Sequence, residues 1–157
     1  IGDTVRFTST EPYRFVITGR TKSFINAFGE ELVVENAEKA IAAACLKTGA
    51  EVANYTAAPI FMDAGKSGGH EWMVEFKKEP EDLSAFTHIL DGELKLTNSD
   101  YEAKRSANLS LQMPIVHAAR KGLFESWLKK HGKLGGQHKI PRLCNDRKLM
   151  DELVEMV

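Results

Sequence analysis

Cysteine is scarce in this chain of 157 residues: Cys45 and Cys144 are its two, and they stand far apart with no CxxC spacing. That usage supports neither a disulfide scaffold nor a zinc site and fits a reduced, cytoplasmic protein. The glycosylation-type triplets Asn54-Tyr55-Thr56 and Asn108-Leu109-Ser110 are then coincidences. No apolar run reaches the length of a spanning helix, so neither a membrane segment nor a signal peptide is expected. A surplus of one charge sign is missing too, since 21 basic and 22 acidic side chains leave a formal charge of −1. No global field would draw nucleic acid or anionic lipid, and any anion site must be local. The basic residues are interspersed with acids, as on an ordinary solvated surface.

Two chemical motifs are also incomplete. Histidines at 70, 88, 117, 131 and 138 lack metal-ligand spacing, and they read as surface or strand-edge side chains. "GKS" at Gly65 to Ser67 ends a phosphate-loop pattern whose opening glycine is replaced by Ile60, with no helix behind it. No internal repeat or low-complexity tract is present.

What the chain does contain is alternation, over a length sufficient for one domain with a core, or one domain plus a piece of another. "GDTVRFTSTEPYRFVITGR" holds two β-rich runs around Glu11-Pro12 and reads as a hairpin lacking the sheet to which it belongs. "SFINAFGEELVV" is strand and turn. Asn36 is positioned to cap a helix through about residue 48, with Ile41, Ala44, Cys45 and Thr48 on one face and Gly49 as its stop. "EVANYTAAPIF" and "HEWMVEFKK" are strands around the turn "DAGKSGG". In the second strand Trp72, Val74 and Phe76 oppose Met73 and Glu75, the period of a half-buried strand.

Asp82 caps a helix carrying Leu83, Phe86, Ile89 and Leu90. "MPIVHAA" reads as a third core strand preceded by a loop. A helix over 123–131 buries Phe124, Trp127 and Leu128 and ends at Gly132, and a last helix from Asp146 buries Leu149, Met150 and Leu153. The sum is an α+β fold, a small sandwich of a mostly three-stranded sheet and packed helices preceded by a β-hairpin. Strand and helix order alone also admits a stand-alone ferredoxin-like binding or regulatory module.

Two stretches rise above this background. "GRTKSFINAFGEEL" joins the hairpin to the globular part, with a permissive Gly19 and the permanent cation Arg20 before Thr21-Lys22. That composition suits a hinge beside a phosphate or ribose, or an ordinary β-turn. "GGQHKIPR", residues 135–142, presents Lys139 between loosening glycines and a stiffening proline, with His138 and Arg142 close by; Lys133, six residues earlier, competes for the same role.

In order, Gly2-Asp3, the hairpin, Gly19-Arg20, the Gly29-Glu30-Glu31 turn and a late lysine loop resemble the C-terminal end of the acyl-adenylating superfamily. Within it the chain resembles the auxin-responsive promoter family of acyl-acid amido synthetases. "GGHEWMVEFK" is similar to that family's Pro-Gly-His-Tyr-Val-x-x-Trp-Glu strand, "NSDYEAKR" to its Asn-Ser-x-Tyr-x-x-x-Arg, and "GGQHKIPR" to its Ile-Asn-Gln-Tyr-Lys-x-Pro-Arg. Departures are Glu71 in place of a tyrosine, Phe76 after Glu75, and Asp100 in place of an apolar residue.

The resemblance implies the mobile C-terminal lid of a two-domain ligase. Residues 1–20 would be the last hairpin of a missing large N-terminal domain, and 21–157 the lid itself. Such enzymes join a carboxylic acid to ATP, with Mg2+, and pass the acyl group from AMP to the amine of an amino acid. By motif position Asp3 would hold the ribose hydroxyls and Arg20 would sit near ribose and phosphate. Arg20, Thr21 and Lys22 would form the hinge, with Lys139 as the catalytic lysine. The partners implied are the large domain, an acyl acid and an amino acid, with no nucleic acid and no membrane. The fragment alone would be inactive, and a thioester to coenzyme A is the alternative product.

Overall fold

The computed structural model describes residues 3–20, 23–63, 67–106, 110–133, 135 and 139–157, without the side chains of residues 3, 4 and 18–20. It begins with an antiparallel ribbon of β1 (Asp3–Thr10) and β2 (Tyr13–Arg20), turning at Glu11-Pro12 as the sequence suggests. Val5 lies opposite Ile17 and Phe7 opposite Phe15. Phe7, Phe15 and Ile17 are 60%, 59% and 66% exposed, so the ribbon carries an apolar ladder that no described residue covers.

Two short strands, β3 (Phe24–Ile25) and β4 (Leu32–Val33), then pair antiparallel and lead into α1 (Val34–Thr48). Asn36 does not precede this helix. It lies inside the first turn, where its side chain accepts from the Val33 N–H at 3.1 Å and donates to the Thr97 carbonyl at 2.9 Å. The helix starts earlier than a cap at Asn36 would allow because this bond back from the Asn36 side chain satisfies one of the orphan N–H groups from within. Gly49, at φ 68°, ends it in the left-handed conformation, donating to the Cys45 carbonyl.

The main sheet has the order β5 (Glu51–Ile60), β6 (Gly69–Lys78), β7 (Ile115–Ala119), with β5 antiparallel and β7 parallel to the central β6. The parallel step requires a crossover, supplied by α2 (Leu83–Thr97) and α3 (Ser99–Arg105). Asp82 caps α2 as expected, accepting from the Ser84 N–H at 2.7 Å. The α3 helix is a correction, since that region reads from sequence as a loop.

A second correction concerns β6, which is buried on both faces rather than one. Trp72, Val74 and Phe76 enter a core shared with α1 and α2, where the Trp72 ring stacks on Tyr55 and Phe76 meets Phe86 edge to face. Met73 enters a second core against α4 (Leu123–Lys130) and α5 (Lys148–Val154). Glu75, between them in register, accepts from the Gly122 N–H ahead of α4 at 2.8 Å. Helices on both sides of one sheet explain why its middle strand has no wet face.

Candidate active site

Lys139 is exposed, and the chain immediately after it is fastened to the sheet. Ile140 is buried in the core beneath α4 and α5, while Leu143 is wholly buried in the core beneath α1 and α2. Between these apolar pegs the backbone runs parallel to the outer edge of β5. The Ala57 N–H donates to the Arg142 carbonyl at 3.0 Å, and the Cys144 N–H donates to the Ala57 carbonyl at 2.9 Å. The Thr56 hydroxyl donates to the Pro141 carbonyl at 2.7 Å. A free sheet edge is thereby satisfied, and the backbone is anchored one residue from a lysine whose charge faces solvent.

The side chain of Arg142 adds a lateral hold. Its guanidinium lies over the Tyr55 ring at 4.5 Å, pairs with Glu38 at 3.4 Å and donates to the Asn54 side-chain carbonyl. The Tyr55 hydroxyl donates to the same Glu38 oxygen at 2.9 Å. Burial, reinforced by the Glu38 charge, pushes the Tyr55 phenol far up, so it remains a neutral donor.

Asp3 and Arg20, both expected at the nucleotide, are direct partners in the ribbon register. Thr21, Lys22 and His138 lie outside the described residues. Ser23 follows the expected hinge, and its hydroxyl is 3.4 Å from both the N–H and the carbonyl of Leu143. The Asn26 N–H donates to the Asn145 side chain at 2.8 Å. The residues that follow the expected hinge and the segment after Lys139 are therefore tied to each other. Lys133, the competing lysine, is exposed beside the Trp127 ring at 5.3 Å.

The remaining motif residues form a support. Glu30 and His70 meet at 2.9 Å with both side chains fully buried, so His70 is a core residue and not the surface or strand-edge histidine that its spacing suggests. Burial works to raise the Glu30 carboxyl, but bonds from His70 and from the Phe28 N–H outweigh it and hold the group low. Asn98 caps α3 and also donates to the Glu30 carbonyl at 2.8 Å. Tyr101 and Arg105 converge on Asp91, the hydroxyl at 2.8 Å and the guanidinium at 2.8 and 2.9 Å.

Two of the three departures also have structural partners. Glu71 is held between His117 at 2.7 Å and Arg147 at 2.6 Å. Burial opposes its ionisation, and those two partners more than offset it, holding the carboxyl below its usual range. Phe76 fills core against Phe86, whereas Asp100 is exposed in the first turn of α3.

Comparison with known proteins matches residues 35–148 to the GH3 family C-terminal domain, and the chain belongs to that family. It is similar to a solved "GH3.15 acyl acid amido synthetase", with TM-score 0.76 and 15% identity over 99% of this chain and 29% of that one. It is also similar to "AtGH3.15 acyl acid amido synthetase in complex with 2,4-DB", with TM-score 0.74, 15% identity and the same coverage. At that identity the likeness is one of fold, and the chain spans less than a third of the length of these enzymes. A comparison with curated proteins returned no match.

Proposed function

We propose that this chain is the C-terminal lid of an ATP-dependent ligase that adenylates a carboxylic acid and transfers the acyl group to an amino acid amine. The observation that carries the reading is Lys139, a solvent-facing cation on a backbone pegged into both cores of the domain. A carboxylate attacking the α-phosphate of ATP brings two anions together, and a cation between them stabilises the charge that shifts during displacement. Lysine, a compact charge on a flexible stem, suits that position. Mg2+ would arrive with ATP.

Rotation at residues 20–22 would first deliver Lys139 and then withdraw it, opening the adenylate to the amine. The ties of Ser23 and Asn26 to the stretch after Lys139 support this, because they make the arm turn with the first residues beyond the hinge. Asp3 would hold the ribose and Arg20 would lie near ribose and phosphate. The uncovered apolar ladder of the β1–β2 ribbon fits its assignment, with residues 1–20, to a large N-terminal domain. A cytoplasmic location agrees with the two free cysteines and with the lack, among the described residues, of any helix able to cross a membrane.

The test is ATP–pyrophosphate exchange with a panel of acyl acids, followed by product analysis with amino acids and coenzyme A in competition. The full-length protein should exchange and form an amide, while the 157-residue chain alone should read background. Turnover by the isolated chain, or a thioester as the sole product, refutes the reading.

A further inference from the structure

We propose that Arg142 is a positioning residue for Lys139, setting the orientation of the lysine arm through a clamp with Tyr55, Glu38 and Asn54. The inference rests on the reading of Lys139 as the adenylation cation. Backbone hydrogen bonds and the Ile140 and Leu143 pegs hold the stretch after Lys139 along β5. Arg142 sits between the pegs, three residues from Lys139, and its side chain reaches Glu38 of α1 and Asn54 and Tyr55 of β5.

Its contacts differ in kind and in direction. The guanidinium face lies 4.5 Å from the Tyr55 ring, its Nε is 3.4 Å from Glu38, and its Nη1 donates to Asn54. Each partner is itself braced. Tyr55 is 2% exposed and stacks on Trp72 at 5.8 Å, and its hydroxyl holds the Glu38 oxygen that faces Arg142. The Asn54 oxygen also accepts from the Tyr55 N–H at 3.0 Å. A planar fork held both edgewise and facewise restricts rotation as a single ammonium could not.

Stability alone is a poor account of this arrangement. The side chains of Arg142 and Glu38 are 36% and 52% exposed, and ion pairs so open to water add little to folding. Placement has a larger effect on chemistry, because a displacement of about 1 Å in a reacting group lowers rates by as much as roughly 10²-fold. An effect on catalysis that exceeds the effect on folding is therefore the signature of positioning.

The experiment uses the full-length protein with Arg142→Ala, Lys139→Ala and the double substitution. ATP–pyrophosphate exchange, acyl transfer from preformed adenylate, and urea denaturation are measured on each. Arg142→Ala should slow adenylation roughly tenfold while transfer and the denaturation midpoint stay near wild type. In the Lys139→Ala background the same substitution should change adenylation by less than about twofold, because the group it orients is gone. Should Arg142→Ala not fold, Arg142→Lys carries the test, keeping the charge without the fork.

Equal losses in both half-reactions, or losses that multiply fully in the double variant, overturn the positioning role while leaving Lys139 in place. Normal adenylation by Lys139→Ala overturns the lysine reading and this inference with it.

Discussion

Replacing Asp91 by alanine should destabilise the domain severely. Asp91 and Arg105 are 3% and 5% exposed at their side chains, and both Asp91 oxygens accept from the guanidinium. The substitution takes from a buried guanidinium the carboxylate that accepts two of its hydrogen bonds, and breaking a buried pair from one side costs about 3–5 kcal/mol. In a domain whose total stability is about 5–15 kcal/mol that is a large fraction. For a chain of this size each kcal/mol moves the melting point by roughly 2–4 °C, so a fall of about 6–20 °C follows. Urea denaturation gives the free energy directly, provided the slope with denaturant is unchanged.

Two controls separate charge from packing. Replacing the pair together, Asp91→Leu with Arg105→Met, should recover part of the loss because no lone charge is buried. Recovery stays incomplete, since the Tyr101 hydroxyl, 1% exposed, still lacks its acceptor. Acid provides the second control. Burial favours the neutral carboxyl, but Arg105, Lys95 and Tyr101 outweigh it and hold Asp91 below its usual range. Its contribution is therefore complete above the unfolded value of about 3.9 and disappears as pH falls through the lower folded value. The gap between wild type and Asp91→Ala should accordingly narrow below about pH 4. A loss under about 1 kcal/mol at neutral pH, the range of exposed pairs, refutes the account.

Lys139→Ala in the full-length protein should depress adenylation by about 10²-fold or more, the scale for removing one stabiliser of developing charge. Transfer from preformed adenylate should be nearly unaffected, and normal adenylation would transfer the role to Lys133 or to the large domain. With Asp3 proposed as a charged acceptor for the ribose hydroxyls, Asp3→Ala should lower ATP affinity by calorimetry roughly tenfold or more, and unchanged binding rejects the assignment. Lys22→Pro fixes φ at the proposed hinge and should stall one half-reaction while sparing the other. Equal loss in both points to a merely structural turn.

Particular residues show which features are legible in a sequence. Trp72, Val74 and Phe76 announce a strand because alternation is a local signal. Asp82 and Gly49 announce helix ends because caps act within a few residues. Ser99–Arg105 escapes notice as a helix because its inward side chains include Arg105, held by a carboxylate on the preceding helix rather than by an apolar stripe. His70 passes for a surface or strand-edge residue because its partner, Glu30, lies forty positions upstream. Lys139 stands out through its glycines and proline, but the residues that orient its arm, Tyr55 and Glu38, carry no signal of their own.

The local order of strands and helices, the hairpin, and the family to which the chain belongs are written in the sequence, because propensity, capping and motif spacing act between near neighbours. The burial of β6 on both faces, the joining of Glu30, His70, Asn98, Tyr101, Arg105 and Asp91 into a supporting network, and the docking of residues 140–144 along β5 were decided only by the tertiary structure. These depend on side chains brought together from distant parts of the chain, where hydrogen bonding and exclusion of water follow from position in space and not from spacing in sequence.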